Sequence, residues 1–242
     1  MARVLEVCVD SVESAVSAAR GGAMRLELCA NLVIGGTSPD EDLFRMVRRR
    51  VDIPIRVLLR PRFGDFLYSE EEFELLRRQV RRFAALGADG VVIGVLRADG
   101  TLDEPRMAEL IALAGGCGIT LHRAFDVCRD PFEALAAARR LGVDTILTSG
   151  RQASCTEGAA LLRELVGRSG GRPQILVGWM LSVEGGILLL PMLTAVIYQE
   201  PIAFAYLAVS ALCLVFSCLF TRCKPKNTRF YAREGFVTVS LC

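Results

Sequence analysis

Short β-branched runs alternate with amphipathic stretches from residue 3 to about residue 178. This alternation is typical of strand and helix units repeated around a parallel sheet. In the third predicted helix, Phe73, Leu76 and Val80 recur at helical spacing, so one side of that helix should cover the sheet. The pattern predicts seven strands, near residues 3–9, 24–29, 54–60, 89–94, 118–123, 143–148 and 173–178.

Five predicted helix starts carry the capping-box pattern, in which a capping residue is followed three positions later by Glu. The capping side chain is expected to accept a hydrogen bond from an amide of the first helical turn. Pro39 and Pro131 are expected at the first helical position, where the missing amide hydrogen costs nothing. The five pairs are Asp10/Glu13, Ser38/Glu41, Ser69/Glu72, Asp130/Glu133 and Ser154/Glu157.

Near-repeats at the predicted helix ends indicate how the units assemble. Gly22, Gly87 and Gly142 each open a similar segment that leads into the next strand. Such repetition favours a barrel of strand and helix units. A Rossmann sheet would alternate in the same way, but no Gly-x-Gly-x-x-Gly motif follows the first strand. The sequence therefore predicts an α/β fold of the TIM-type (β/α) barrel class.

Charge divides the chain into two unlike parts. Of 29 basic and 27 acidic residues, only 5 and 3 follow Pro173. The first part is electrically balanced, so it offers no footprint for nucleic acid. Its five cysteines have no repeated short spacing, and the N-terminus lacks the long apolar core of a secretory signal. An extracellular disulfide framework is therefore disfavoured, and residues 1–178 are expected in the cytoplasm.

Polar side chains collect at the carboxyl ends of the predicted strands, where barrel enzymes place their chemistry. Glu6, Cys8 and Asp10 share one face of the first strand because side chains alternate along a strand. Acidic groups on that face are costly to bury unless they are paired. Their predicted partners are Arg60, Arg62 and Arg123. The other strand-end candidates are Glu27, Cys29, Asp65, His122, Asp126, Thr148 and Ser149.

Cys8 and Cys29 end neighbouring predicted strands, which lie about 4.8 Å apart in a parallel sheet. Two sulfurs so close are placed to share a soft monovalent ion such as Cu(I). Two thiolates alone do not suit a closed tetrahedral zinc site. Each cysteine also has a simpler interpretation, because free cysteine is among the residue types most often buried in a core.

His122 is the only histidine, which excludes a site built from several histidines. Its unperturbed pKa of about 6.5 suits a general acid or base. The alternative is a histidine held by carboxylates within a structural network. The charged strand ends support a second hypothesis, a lyase or isomerase acting on a small anionic metabolite. That hypothesis assigns anion or pocket binding to Glu6, Asp10, Arg60, Arg62, Asp65, Arg123 and Ser149, and proton transfer to Glu27, His122 or Asp126.

Residues 1 to about 178 closely resemble the CutC family, cytoplasmic proteins linked to copper homeostasis. Six ordered segments carry the resemblance, including Leu-Glu-Val-Cys-Val-Asp after residue 4 and Leu-His-Arg-Ala-Phe-Asp after residue 120. The resemblance implies a TIM-type barrel that is often dimeric, and hence a homo-oligomer. It also implies a Cu(I) site on Cys8 and Cys29, but no established reaction. The segments are 5–15, 20–29, 35–39, 60–69, 121–126 and 147–150.

The resemblance to this family ends near Gly178, where a last strand and helix would be expected to follow. The sequence predicts instead that the eighth strand is missing, which leaves the first and seventh strands with unpaired edges. We therefore expect two domains, an incomplete barrel over residues 1–178 and a separate hydrophobic region over residues 179–242.

The hydrophobic region has two candidate membrane spans. Pro201 to Thr221 is free of charged residues and long enough to cross a bilayer of about 30 Å. The stretch from Ile175 to Gln199 is a weaker candidate because Glu184 interrupts it. Basic residues follow the second span, so the expected arrangement is a hairpin with both ends in the cytoplasm, and the alternative is a buried hairpin in a soluble protein.

This tail resembles the N-terminal end of TrkH-type potassium-uptake subunits. The matching segments are 178–185, 188–193, 224–227 and 231–237, and no pore loop of that family is reached. Two unrelated families that meet within one strand indicate a fused or misassembled reading frame. A third functional hypothesis follows, in which residues 175–221 make the chain a membrane-anchored protein or a channel fragment.

Overall fold

The computed structural model describes residues 4–177. The chain divides into two units, Met1–Gly178 and Trp179–Cys242, and every described residue belongs to the first. The sheet of this unit has seven parallel strands in chain order, as the sequence predicted. The strands are β1 (Glu6–Val9), β2 (Arg25–Leu28), β3 (Ile55–Leu58), β4 (Gly90–Ile93), β5 (Gly118–Leu121), β6 (Thr145–Thr148) and β7 (Gln174–Val177).

Helices connect the strands, so the chain follows the strand and helix alternation that a TIM-type barrel requires. Strands β1 and β7 lie at opposite edges of the sheet, and no pairing between them occurs within residues 4–177. The fold is therefore an open, seven-stranded α/β arrangement consistent with an incomplete barrel. The helices are α1 (Val12–Arg20), α2 (Glu41–Arg48), α3 (Glu70–Ala85), α4 (Glu104–Leu113), α5 (Pro131–Arg140) and α6 (Ala159–Ser169), with 3₁₀ helices at Leu32–Ile34 and Arg123–Val127.

The two faces of the sheet differ in character because side chains alternate along each strand. Leu26 and Ile55 belong to the main hydrophobic core, which lies between the sheet and its helices. The opposite, inner face carries a separate small apolar cluster of Cys29, Leu58 and Val92. Charged side chains of β2 and β3 lie on the same inner face as this cluster. The inner face is therefore where the candidate chemistry collects.

Two of the predicted helix caps are confirmed. Ser69 caps α3 in a full capping box, since its hydroxyl accepts from the Glu72 amide and the Glu72 carboxylate accepts from the Ser69 amide. Asp130 caps α5 and accepts from the amides of Phe132 and Glu133, and Pro131 is the first helical residue. Each such cap contributes about 1 kcal/mol to helix stability.

Three other caps were assigned wrongly. The cap of α1 is Ser11, which forms a capping box with Ser14, so Asp10 does not cap this helix. The cap of α2 is Asp40, because the Ser38 hydroxyl is held by the Arg60 amide and by Gln79. Pro39 consequently precedes the helix.

In α6 the cap position is Gly158. The predicted cap, Ser154, accepts a hydrogen bond from the Glu157 amide, but it does so in the turn that precedes the helix. The predicted start of α6 therefore lies about one helical turn before the observed start.

Within residues 4–177, none of the helices combines the length and apolar character that a bilayer crossing needs. The first residues of the weaker predicted span, 175–177, belong to β7. The rest of that span, the stronger span, the TrkH-like segments and the place of a missing eighth strand lie outside the described residues. Those expectations remain predictions.

Candidate functional site

Glu6 on β1 forms an ion pair with Arg25 on the adjacent strand β2. The two residues are aligned in the parallel register, which places the carboxylate and the guanidinium side by side. The sequence had assigned the acidic residues of β1 to Arg60, Arg62 and Arg123, and for Glu6 that assignment was wrong. Sequence reasoning missed Arg25, although an Arg two positions before Glu27 in an apolar strand would mark the same face.

Cys8 and Cys29 lie on neighbouring strands, as predicted. The register aligns Cys8 with Glu27, two residues before Cys29, so both cysteines belong to the inner face of the sheet. Cys8 is exposed, whereas Cys29 is only 1% exposed and packs against Leu58 and Val92. Interaction with the nearby Cys8 thiol and burial both raise the pKa of Cys29 well above the ordinary value for a thiol.

Glu27 lies between the two thiols and the ion pair. Its Cα is aligned with that of Cys8, and its Oε1 atom is 3.6 Å from the Sγ atom of Cys29. Its other oxygen, Oε2, is buried and has no hydrogen-bond partner in the described part of the chain. Burial raises the pKa of Glu27 to about 7, and the nearby charge of Glu6 acts in the same direction. The carboxyl group is thus a poorly compensated buried acid.

The donor set of this corner fits a soft cation with few ligands. Among residues 4–177, no group of three or more His, Cys, Asp or Glu side chains is arranged to hold a metal ion. Two neighbouring thiols, however, match the preference of Cu(I) for sulfur. They do not supply the four ligands of a structural zinc site. Cys8 and Cys29 are the residues that would hold Cu(I), and Glu27 would be the adjacent carboxyl.

Arg56 on β3 reaches across the inner face to β5 and β6. Its Nη1 donates to the hydroxyl of Thr120 and, at 3.0 Å, to that of Thr145. The path is open because Gly90 and Gly118 have no side chains, and a Cβ at Gly90 would lie 3.0 Å from the Cγ of Arg56. Arg56 was not among the predicted site residues. A lone charged residue inside the apolar run Ile-Arg-Val-Leu was the available signal.

Arg60 follows β3 and is held by backbone carbonyls. Its Nη1 donates to the oxygens of Gly35 and Gly36 at 3.2 Å each, and its Nη2 donates to that of Gly64 at 2.7 Å. Within residues 4–177 no carboxylate lies within ion-pair distance of this guanidinium, and its Nε atom has no hydrogen-bond partner. Burial lowers the pKa of Arg60.

His122 at the end of β5 is buried next to the same cation. Its Nδ1 accepts a hydrogen bond of 3.1 Å from the Ala124 amide, and its ring lies against Phe66 with 4.7 Å between ring centres. Burial, with the charge of Arg60, lowers the pKa of His122 to about 3. The imidazole is therefore neutral at physiological pH. No carboxylate of the described residues holds it, contrary to the structural alternative considered for this histidine.

Arg62 is neutralised by carboxylates. Its Nε donates to Glu72 at 2.5 Å and its Nη2 to Asp65 at 2.9 Å, and the hydrogen bond with Glu72 raises the pKa of Arg62. The guanidinium also lies over the ring of Tyr68. These contacts hold the segment between β3 and α3 in place. The charge of Arg62 is already paired with the carboxylates of Asp65 and Glu72.

The Asp126 carboxylate accepts several hydrogen bonds at the end of β6. It accepts from Arg123 at 2.8 Å, from the Thr148 hydroxyl, from the Ser149 amide at 3.2 Å and from the Arg151 amide at 3.1 Å. Arg123 also donates to the Ser149 hydroxyl at 2.7 Å. These predicted site residues are thus near one another, but they satisfy each other's hydrogen bonds.

Asp10 stands apart from the other candidates. It is exposed, and in the described part of the chain it forms no ion pair. The other predicted site residues fall into four groups: the Glu6, Cys8, Glu27 and Cys29 corner, the Arg60 and His122 pair, the Arg62 and Asp65 cluster, and the network of Arg123, Asp126, Thr148 and Ser149.

Comparison with known proteins places the chain in a family. The model of the CutC family matches residues 3–190. The copper homeostasis protein cutC homolog of Mus musculus is 45% identical over 175 residues, which cover 72% of this chain and 64% of that protein. The family protein CutC of Chromobacterium violaceum is 46% identical over 178 residues, covering 74% of this chain and 72% of that protein.

A solved structure of related sequence agrees with this result. The protein assigned as the copper homeostasis protein CutC of Streptococcus agalactiae has 26% sequence identity and a TM-score of 0.70, and the match covers 76% of this chain and 91% of that one. The chain thus spans less than two thirds of the mouse relative and most of the streptococcal structure. The chain belongs to the CutC family of copper homeostasis proteins.

Proposed function

We propose that this chain binds Cu(I) through Cys8 and Cys29 and serves copper homeostasis in the cytoplasm. The observation that carries the proposal is the placement of two thiols on the same face of adjacent parallel strands, one exposed and one buried. An exposed Cys8 gives an incoming ion a first ligand at the surface. The buried Cys29 then supplies a second ligand away from water, where a soft ion loses little by giving up its hydration.

The charges of this corner favour a bound cation. Both thiols must lose their protons to ligate a metal, and the raised pKa of Cys29 makes that step unfavourable without the ion. Glu27 adds further negative charge when it ionises, and its unpartnered Oε2 leaves it short of compensation. A bound cation would offset both costs at once.

Anaerobic titration with Cu(I) against a competing chelator tests the proposal. The full chain is compared with the Cys8→Ser/Cys29→Ser double variant. The wild type is expected to bind one additional Cu(I) ion, and to bind it tightly. A Cys117→Ser/Cys155→Ser variant controls for loss of two thiols elsewhere in the same unit. Equal stoichiometry and affinity in the wild type and the Cys8/Cys29 variant would remove the site.

The lyase or isomerase hypothesis receives less support. His122 is neutral and buried, Asp126 is saturated by hydrogen bonds, and Glu27 lies beside the thiols. Glu27 has a pKa of about 7, which suits a general acid or base at neutral pH, but its burial denies it access to a substrate. The anion-binding half of that hypothesis, in contrast, gains an observation at Arg60.

The division into an incomplete barrel and a membrane-associated tail is a proposal as well. Its support is the uncharged stretch Pro201 to Thr221 and the resemblance of the tail to potassium-uptake subunits. Membrane fractionation of the full chain is expected to recover it with the lipid, and recovery only in the supernatant would reject the anchor. Reading the DNA across codons 174–182 tests the fusion hypothesis, because an intact natural frame would count against it.

A further inference from the structure

Arg60 carries a positive charge that the described part of the chain does not neutralise. Its side chain is 8% exposed, and its three hydrogen-bond acceptors are neutral carbonyls. The nearest candidate counter-ion, Asp65, is instead bound to Arg62. A buried charge without an opposite charge is costly unless a ligand supplies one. Of the three arginines predicted for anion binding, Arg60 is thus the one that is still available.

Arg60 and two neighbouring residues carry hydrogen-bond donors without partners. In the described residues, the Nε of Arg60, the Nε2 of His122 and the hydroxyl of Tyr68 are buried and unpartnered. His122 and Tyr68 are each 4% exposed. Because the Nδ1 of His122 accepts from the Ala124 amide, the proton of the neutral ring belongs on Nε2, which makes that atom a donor. A cation with several donors and no acceptors is complementary to an oxyanion.

The ring of Phe66 contacts both Arg60 and His122. Its centre is 4.9 Å from the guanidinium carbon of Arg60 and 4.7 Å from the centre of the His122 ring. The Phe66 carbonyl is held by the amide of Leu96 at 2.9 Å, so its backbone is anchored. A ligand would therefore reach the donors when the side chain of Phe66 turns away, without movement of the loop that carries it.

We propose that Arg60 and His122 form a binding site for a small oxyanion, a carboxylate or a phosphate group, with Phe66 as its cover. The guanidinium supplies charge and the Nε donor, and His122 donates from Nε2. Tyr68 is close enough to interact electrostatically with Arg60 and offers a further donor. This site lies on β3 and β5 and is separate from the thiols of β1 and β2.

The single histidine makes the site directly observable. The Nε2–H signal of His122 in the NMR spectrum of the full chain has no competing histidine. Titration with inorganic phosphate and, separately, with acetate is expected to shift this signal saturably, whereas sodium chloride at equal ionic strength should not. Saturation by only one of the two anions would identify the group that is recognised.

Three variants make the test specific. Arg60→Gln is expected to weaken binding by about tenfold or more, the loss typical of one hydrogen bond to a charged group. Arg78→Gln, which removes one positive charge from an exposed arginine of α3, should leave binding unchanged. Phe66→Ala should tighten binding by roughly tenfold, because no ring must then be displaced.

The outcomes separate cleanly. The proposal is overturned if neither anion shifts the His122 signal saturably in the wild type and in Phe66→Ala. It is also overturned if Arg60→Gln and Arg78→Gln weaken binding equally, since that result indicates diffuse attraction to positive charge. Should Arg60→Gln fail to fold, the wild type and Phe66→Ala decide the matter, and equal affinities in those two proteins would reject the covered site.

Discussion

The Sγ atom of Cys29 lies 3.6 Å from the Oε1 atom of Glu27, and both side chains are almost fully buried. This contact joins the proposed Cu(I) ligand to a carboxyl group whose other oxygen is unpartnered in the described residues. Ionisation of Glu27 in this setting places a negative charge among groups that cannot solvate it. The stability of the inner face should consequently respond to pH through this one residue.

We predict that Glu27→Gln stabilises the protein at high pH relative to the wild type. Burial raises the pKa of Glu27 from 4.5 to about 7, so the unfolded chain releases this proton first as pH increases. The wild type therefore loses stability between about pH 4.5 and about pH 7, by about 3 kcal/mol in total. Denaturant unfolding of both proteins from about pH 4 to about pH 8 measures the difference, and a pH-independent difference would contradict the prediction.

His122 should not titrate in the physiological range. Burial and the charge of Arg60 lower its pKa to about 3, so the native state holds the neutral imidazole while the unfolded chain protonates near 6.5. The sign is opposite to that of Glu27, because stability from His122 is present above about pH 6.5 and is lost as pH falls toward 3. An inflection between about pH 6 and 7 in the Cε1–H chemical shift of this single histidine would show the prediction to be wrong.

Arg56→Ala should be strongly destabilising. The change removes the donor that satisfies the hydroxyls of Thr120 and Thr145 and leaves a cavity on the inner face. Losses of about 3 kcal/mol or more in the free energy of unfolding are typical of such sites. The control is Arg78→Ala, which removes an exposed arginine that pairs with Glu74 and should cost less than about 0.5 kcal/mol. Similar losses in both variants would refute the role assigned to Arg56.

Gly94→Ala and Gly167→Ala form a matched pair with opposite expected signs. A Cβ at Gly94 would lie 2.5 Å from the Cε1 of His122 and 3.0 Å from the Cβ of Ala124, so His122 must move and about 2 kcal/mol should be lost. Gly167 lies inside α6 with nothing within 4 Å of an added Cβ. Alanine there should stabilise by about 0.5–1 kcal/mol. Thermal unfolding measures the stability change of both variants. A stabilising effect of Gly94→Ala would mean that His122 is not packed against the end of β4.

The seven strands and their parallel arrangement were predictable because each strand carries its own apolar run and each helix its own amphipathic pattern. The juxtaposition of Cys8 and Cys29 followed from the same reasoning, since consecutive parallel strands are usually neighbours. These features depend on local sequence and on a general rule of topology. Neither requires knowledge of the strand register.

Ion-pair partners were harder to predict because they depend on register and reach. Glu6 pairs with Arg25 since the two are aligned across β1 and β2. The sequence also could not show that Arg62 and Arg123 find carboxylates in their own loops, which leaves Arg60 without one. Which carboxylate each arginine pairs with depends on the side-chain geometry at the ends of the loops.

The caps of α1 and α2 show a similar limit. Ser11 competes with Asp10 one residue away, and the choice depends on where the chain turns into the helix. Serine is a common capping residue, but the Ser38 hydroxyl accepts a hydrogen bond from the Arg60 amide and therefore does not cap α2. Local motifs therefore located the helix starts to within a few residues, and tertiary contacts selected the cap.

The reach of Arg56 across the glycines of β4 and β5 also bears on the order in which the protein folds. Its hydrogen bond with Thr145 joins residues 89 positions apart in sequence. During synthesis, the guanidinium of β3 emerges long before its last partner and must remain hydrated until β6 docks. Contacts of such long range form late because the intervening loop must close first. Water should therefore leave the inner face only in the last stage of folding, after the outer core between the sheet and its helices has formed.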